Sequence, residues 1–128
     1  MGDHILTKEI FIKAPVEKVF MSFTDEETLL SWHGKKAQLE PRSGGIYKVV
    51  FEDGTTILGK YIEVVPNEKL IYSARYGDVD SVITIVFTAI DNGTLLQLTQ
   101  VFDKGQDISS FDGGWDHFLG LLADRWKV

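Results

Sequence analysis

The sequence predicts an α+β fold, in which a curved antiparallel sheet of six to seven strands wraps on a long C-terminal helix and two short helices follow the first strand. Three observations predict it. From Lys36 to Phe102 apolar residues recur with a period near two, interrupted by turn residues. Ahead of that region lie two short patterns of helical period, and behind it Phe111 to Trp126 carries a broad apolar stripe.

His4 to Lys13 alternates loosely through Ile5, Ile10 and Ile12 and predicts the first strand. Ala14-Pro15 breaks it, with proline suited to a first helical position. Val16, Val19, Phe20 and Phe23 then follow at helical spacing. Thr24-Asp25-Glu26-Glu27 reads as a capping box, Thr24 as N-cap and Glu27 reaching back. The helix it starts would carry Leu29, Leu30 and Trp32 and stop at His33-Gly34.

Candidate strands are Ala37–Glu40, Ile46–Glu52, Thr56–Val65, Lys69–Tyr76, Ser81–Ile90 and Thr94–Phe102. Between them stand Ser43-Gly44-Gly45, Asp53-Gly54, Pro66-Asn67, Gly77-Asp78 and Asp91-Asn92-Gly93. Links this short make hairpins, hence an antiparallel meander. A polar link, Asp103 to Asp107, leads to the last helix. There Phe111, Trp115, Phe118, Leu119, Leu122 and Trp126 form one face, with Asp112, Asp116, Asp124 and Lys127 opposite. Gly113-Gly114 weaken a helix interior and suit a helix start or a close approach to the sheet. One helix cannot cover so many strands laid flat, so the sheet must curl and leave a cleft beneath the stripe.

The 128 residues fit one domain, 1–128, and 44% of them are hydrophobic, enough for a packed core. No cysteine is present, which removes disulfides, thiolate catalysis and zinc-thiolate sites. Thirteen basic against nineteen acidic residues leave a net charge of −6. That balance argues against nucleic acid or an anionic membrane as partner, since both select a cationic surface. The opening Met-Gly-Asp-His-Ile-Leu has neither a signal-peptide pattern nor a myristoylation pattern, and no apolar run approaches the ~20 residues that span a bilayer. A cytoplasmic location is the expectation.

The element order and a set of local motifs resemble the START-like (SRPBCC) superfamily, and within it the homologues of the activator of the heat-shock-protein-90 ATPase. The matching stretches are Ile12-Lys13-Ala14-Pro15 with Val19-Phe20, Phe23-Thr24-Asp25, Trp32 and Gly44-Gly45-Ile46-Tyr47. Next come Gly59-Lys60-Tyr61-Ile62-Glu63-Val64-Val65-Pro66 with Leu70, then Gly93-Thr94 leading into Leu96-Leu98-Thr99-Gln100. Gly114-Trp115 with Leu119 and Leu122 close the match. The resemblance implies a helix-grip fold with a cavity between sheet and helix, used by relatives for hydrophobic or amphipathic small molecules and by a few for chemistry. It also implies stress response as a setting and a chaperone ATPase as an alternative partner. The further chaperone-binding domain of a co-chaperone is not among these residues, so the family's name is not taken as the activity.

The expected ligand pocket consists of Trp32, Tyr47, Phe51, Tyr72, Phe87, Gln100, Phe102, Trp115, Phe118, Leu119 and Leu122. Tyr61 and Trp126 complete the aromatic set, for each member of which ordinary core packing is the competing explanation. The pocket is expected to open at the glycine pair and near Trp126. Gln100 shares a face with Leu96, Leu98 and Phe102, so its amide needs a partner, whether ligand or neighbour. Arg42 and Arg75 suit surface positions better than carboxylate recognition.

His4, His33 and His117 lack metal-ligand spacing, and His33 fits a helix C-terminus while His117 lies beside the stripe. Gly54 to Lys60 approximates a phosphate loop, but Tyr61 stands where Ser or Thr is required and a strand follows. Asn92-Gly93-Thr94 reads as a turn, and Asp78-Val79-Asp80 lacks calcium-loop spacing. No catalytic set, metal site or cofactor motif emerges. The expected function is binding of a hydrophobic or amphipathic small molecule by a monomer or dimer. The alternatives are a cyclase- or hydrolase-like enzyme in the same cavity and a chaperone-interacting module.

Overall fold

The computed structural model describes residues 5–103 and 109–126. His4, the link at 104–108 and Lys127 lie outside the described residues. Seven strands form: β1 (Ile5–Ile12), β2 (Lys36–Leu39), β3 (Ile46–Val50), β4 (Thr56–Val65), β5 (Lys69–Tyr76), β6 (Val79–Ile90) and β7 (Gly93–Phe102). Helices α1 (Val16–Met21) and α2 (Glu26–Leu30) follow β1, and α3 (Ser109–Arg125) ends the chain. The order across the sheet is β1-β7-β6-β5-β4-β3-β2, every pair antiparallel. This is the curved sheet and gripping helix that the element order predicts.

Register decides which side chains meet under α3. Tyr72 pairs with Ile83, Ile83 with Gln100, and Gln100 with Leu6, so these four share the concave face. Ala74, Ser81 and Phe102 make the next row, and Phe87, Leu96 and Ile10 a row nearer the other end. Helix α1 and the residues after it cap that second end: Phe87 meets Phe20 edge-on at 5.2 Å and Phe23 at 5.8 Å.

Four elements differ from expectation for local reasons. The N-cap of α2 is Asp25, whose carboxylate accepts from the Thr28 N–H at 2.9 Å and the Thr28 hydroxyl at 2.6 Å. Thr24 instead donates back to the Phe20 carbonyl, which leaves its oxygen turned away from α2. The carboxylate that reaches out is that of Glu26, accepting from the Leu39 N–H at 2.9 Å and so joining α2 to β2. Helix α2 stops at Leu30, so Trp32 and His33 lie in the turn after it, and Gly34 follows at φ +86°.

Strand β6 begins at Val79 because the Gly77 turn is tight enough to bring Val79 opposite Tyr76. Asp80 therefore faces Arg75 across the hairpin and accepts from its guanidinium at 2.8 Å. The register of β4 shifts between Tyr61 and Glu63. Two residues oppose one there, which is why the alternation in Thr56 to Val65 does not read cleanly. Helix α3 starts at Ser109, so Gly113 and Gly114 are interior. A Cβ at either would meet nothing within 4 Å, which excludes a close approach to the sheet as their reason.

Capping gives a direct check. Asp25→Ala should cost about 1 kcal/mol in urea unfolding, while Thr24→Ala should cost clearly less. Equal costs would restore Thr24 as a cap.

Candidate functional site

The sheet's curl leaves a cavity of about 170 Å³ between the first half of α3 and strands β3 to β7. Phe111, Gly114, Trp115 and Phe118 face it from the helix. Opposite stand Tyr47, Phe51, Ile57, Tyr72, Ala74, Ile83, Ser81 and Gln100, with His33 contributed by the turn after α2. Exposed Tyr76 and Ser110 also border it, so the cavity reaches the surface at the helix's N-terminal end. Gly114 lies on that side, as expected of the glycine pair. The Trp126 end is closed: its indole donates to the Ser22 hydroxyl at 2.9 Å, and Arg125 donates to the Ser31 hydroxyl at 2.9 Å.

Of the side chains expected to form a pocket, Tyr47, Phe51, Tyr72, Gln100, Trp115 and Phe118 face this space. Five others do not. The Trp32 indole donates to the Ser22 carbonyl at 3.0 Å and packs behind His33. Phe87 is held among Phe20 and Phe23, and Phe102 lies against Phe111 at 5.0 Å. Leu119 and Leu122 are the buried residues of α3 and fill the space beyond the cavity with core. Tyr61 is also core, its hydroxyl donating to the Phe23 carbonyl at 2.9 Å.

Gln100 faces the cavity with both ends of its amide engaged. Its nitrogen donates to the Ser81 hydroxyl at 2.8 Å, and that hydroxyl in turn donates to the Ala74 carbonyl at 3.1 Å. The Gln100 oxygen accepts from the Trp115 indole at 2.9 Å. The single polar residue that sequence periodicity put inside thus joins α3 to the sheet. On the outer side of α3, Lys8 reaches Asp112 and Asp116 from the first strand.

His33 is the residue sequence reasoning misplaced. It is 5% exposed, stacked on Trp32 with centroids 4.8 Å apart and met edge-on by Phe118 at 4.4 Å and Phe51 at 5.0 Å. Its Nδ1 has no hydrogen-bond partner. Burial holds the imidazole at a pKa of about 3, so it is neutral and offers no charge to the end of α2. The signal available in sequence was the Trp32-His33-Gly34 run, where the left-handed glycine turns the chain under the sheet.

Burial acts in the same sense on the tyrosines. It pushes Tyr47 up to about 12, against a smaller opposing pull from the hydrogen bond with Tyr72, and raises Tyr72 well above the ordinary phenol. Each of these three groups is therefore shifted toward its neutral form. His117 is exposed and does not line the cavity, while Arg42 and Arg75 lie on the surface with Glu40 and Asp80. Among the described residues no group of three or more His, Cys, Asp or Glu could hold a metal ion, and no helix is long and apolar enough to cross a membrane.

A family model described as Activator of Hsp90 ATPase homolog 1-like protein matches residues 13–126. The chain belongs to this family. Its fold is the START-like helix grip seen in solved relatives. Protein CV1439 from Chromobacterium violaceum is 25% identical with a TM-score of 0.85, the match covering 98% of this chain and 99% of that one. The Aha1 dimer from Colwellia psychrerythraea is 21% identical at a TM-score of 0.85, covering 97% and 96%. CalU16 from Micromonospora echinospora is 23% identical at 0.78, covering 96% of this chain and 74% of its own. No curated protein matches the chain. For the two relatives below 25% identity, the likeness extends to the fold alone.

The buried imidazole makes stability depend on pH with a definite sign. His33 has a folded pKa of about 3 against 6.5 when unfolded, so between these values the unfolded chain binds the extra proton. Stability should fall as pH drops from about 6.5 to about 5, by at most about 1.4 kcal/mol per unit from this group. His33→Phe should flatten that slope in urea unfolding at the two pH values. An unchanged slope would mean that His33 is protonated in the folded protein.

Proposed function

We propose that this Aha1-family chain binds a small hydrophobic or amphipathic molecule between α3 and the sheet. The observation that carries the reading is the cavity itself, about 170 Å³, faced largely by aromatic and aliphatic side chains. It is larger than the roughly 150 Å³ apolar cavity that suffices for benzene in an engineered protein. It is below the ~300 Å³ at which drug-sized sites begin. A single ring or a short acyl chain suits that volume.

The electrostatics favour binding over proton transfer. Tyr47, Tyr72 and His33 are each driven toward the neutral form by burial. A general acid or base works best with a pKa near the operating pH. These groups move away from it.

Thermal denaturation with a panel of single-ring aromatics and medium-chain alcohols or acids tests the reading. A bound member at a hundredfold excess over its Kd should stabilise the fold by about 2.7 kcal/mol. Gly114→Leu should abolish that gain by filling the cavity from the helix side, without lowering stability, since glycine is a poor helix former. If no compound stabilises the wild type, the reading fails.

A second reading rests on the convex face. Ile5, Val101 and Val82 are cross-strand neighbours there and are 46%, 44% and 39% exposed. An apolar row of this kind suits a protein partner, and the Colwellia relative is described as a dimer. A second copy is the occupant we favour over a chaperone. Wild type should sediment as a dimer and Val101→Lys as a monomer. A wild type that stays monomeric removes self-association and leaves a chaperone pull-down as the measurement for that face.

A further inference from the structure

We propose that the cavity selects a neutral, single-ring aromatic molecule bearing one hydroxyl, with that hydroxyl hydrogen-bonded to His33. The inference rests on the binding reading above and narrows it to a ligand class.

Polar groups around the cavity set the number of hydrogen bonds a ligand must make. Gln100 donates to Ser81 and accepts from Trp115, Ser81 donates to the Ala74 carbonyl, and the Tyr47 and Tyr72 hydroxyls are hydrogen-bonded to each other. Trp115 has used its only donor. His33 differs: it lines the cavity, is 5% exposed, and its Nδ1 has no partner. An orphaned nitrogen in that position costs on the order of a lost hydrogen bond. The nitrogen is shielded from water, and the open space beside its ring is the cavity that His33 lines. A neutral imidazole has one N–H and one bare nitrogen. A hydroxyl both donates and accepts, so it suits either tautomer, whereas a carbonyl or an ammonium suits only one arrangement.

Charge excludes the acids. Among the described residues no lysine or arginine lines the cavity. The nearby cations Lys8 and Arg75 are paired elsewhere, Lys8 with Asp112 and Asp116 and Arg75 with Asp80. A carboxylate placed here would be buried without a counter-charge, which is strongly unfavourable. Shape selects the ring. His33 is already met by Phe51 and Phe118, and Trp115 and Tyr72 complete the walls. Aromatic walls of this kind gain from a further ring packed against them.

The test uses p-cresol, toluene and benzoate as probes, by isothermal titration at neutral pH. Wild type should bind p-cresol about tenfold more tightly than toluene, the size of one net hydrogen bond, and should show no benzoate binding. His33→Phe should retain toluene binding and lose the p-cresol advantage. Equal affinities for p-cresol and toluene in wild type, or benzoate binding as tight as p-cresol, would overturn the hydroxyl assignment while leaving the cavity reading intact. If neither neutral probe binds, or Gly114→Leu leaves p-cresol binding unchanged, the cavity reading falls with it. Should His33→Phe not fold, imidazole ¹⁵N shifts of wild type decide the matter. They should move on saturation with p-cresol and not with toluene, and an unmoved His33 signal would overturn the proposal.

Discussion

The hydrogen bond from the Trp115 indole to the Gln100 amide is the contact on which the arrangement of helix and sheet depends. A buried indole N–H must find an acceptor, and a buried amide must satisfy both of its ends. Here each solves the other's problem, with Ser81 accepting from the amide nitrogen. The result is a polar line running from β5 through β6 and β7 into α3. Because it sits within an otherwise apolar layer, it fixes the helix's height and rotation in a way that Leu119 and Leu122 alone would not. Non-directional apolar contacts tolerate small slides; a hydrogen-bonded ring does not.

The other attachments of α3 hold it from its two ends. Lys8 reaches across from the first strand to Asp112 and Asp116, whereas Trp126 and Arg125 reach the serines flanking the short helices. A helix so held bridges the curl of the sheet rather than collapsing into it. Gly114 contributes by omission, since no side chain projects from it into the gap. The cavity is thus a consequence of how the helix is suspended, and its neutrality follows from how deeply its polar groups are buried.

Much of the fold was readable. The turn residues marked every hairpin, and Asp91 and Asn92 adopt the positive φ values that a tight two-residue link between β6 and β7 requires. What misread was local competition. Thr24 and Asp25 both suit an N-cap, and only the folded geometry shows the threonine hydroxyl spent on Phe20. The bulge in β4 hid its inward face, because one extra residue reverses the alternation on which the reading depends.

The sequence by itself determined the element order, the apolar stripe of α3 and the placing of Gln100 on an inward face, because periodicity and turn chemistry are local properties of the chain. Which aromatic side chains face open space was decided only by tertiary structure. Trp32, Phe87 and Phe102 carry the same composition signal as Tyr47, Phe51 and Tyr72. Strand register and the seating of α1 and α3 send the first three into packed core and the second three to the cavity wall. His33 is the clearest case. Its sequence position fitted a helix C-terminus, but burial among four rings made it a neutral group whose Nδ1 still lacks a partner. Desolvation is a property of everything packed around a group, and no run of neighbouring residues encodes it.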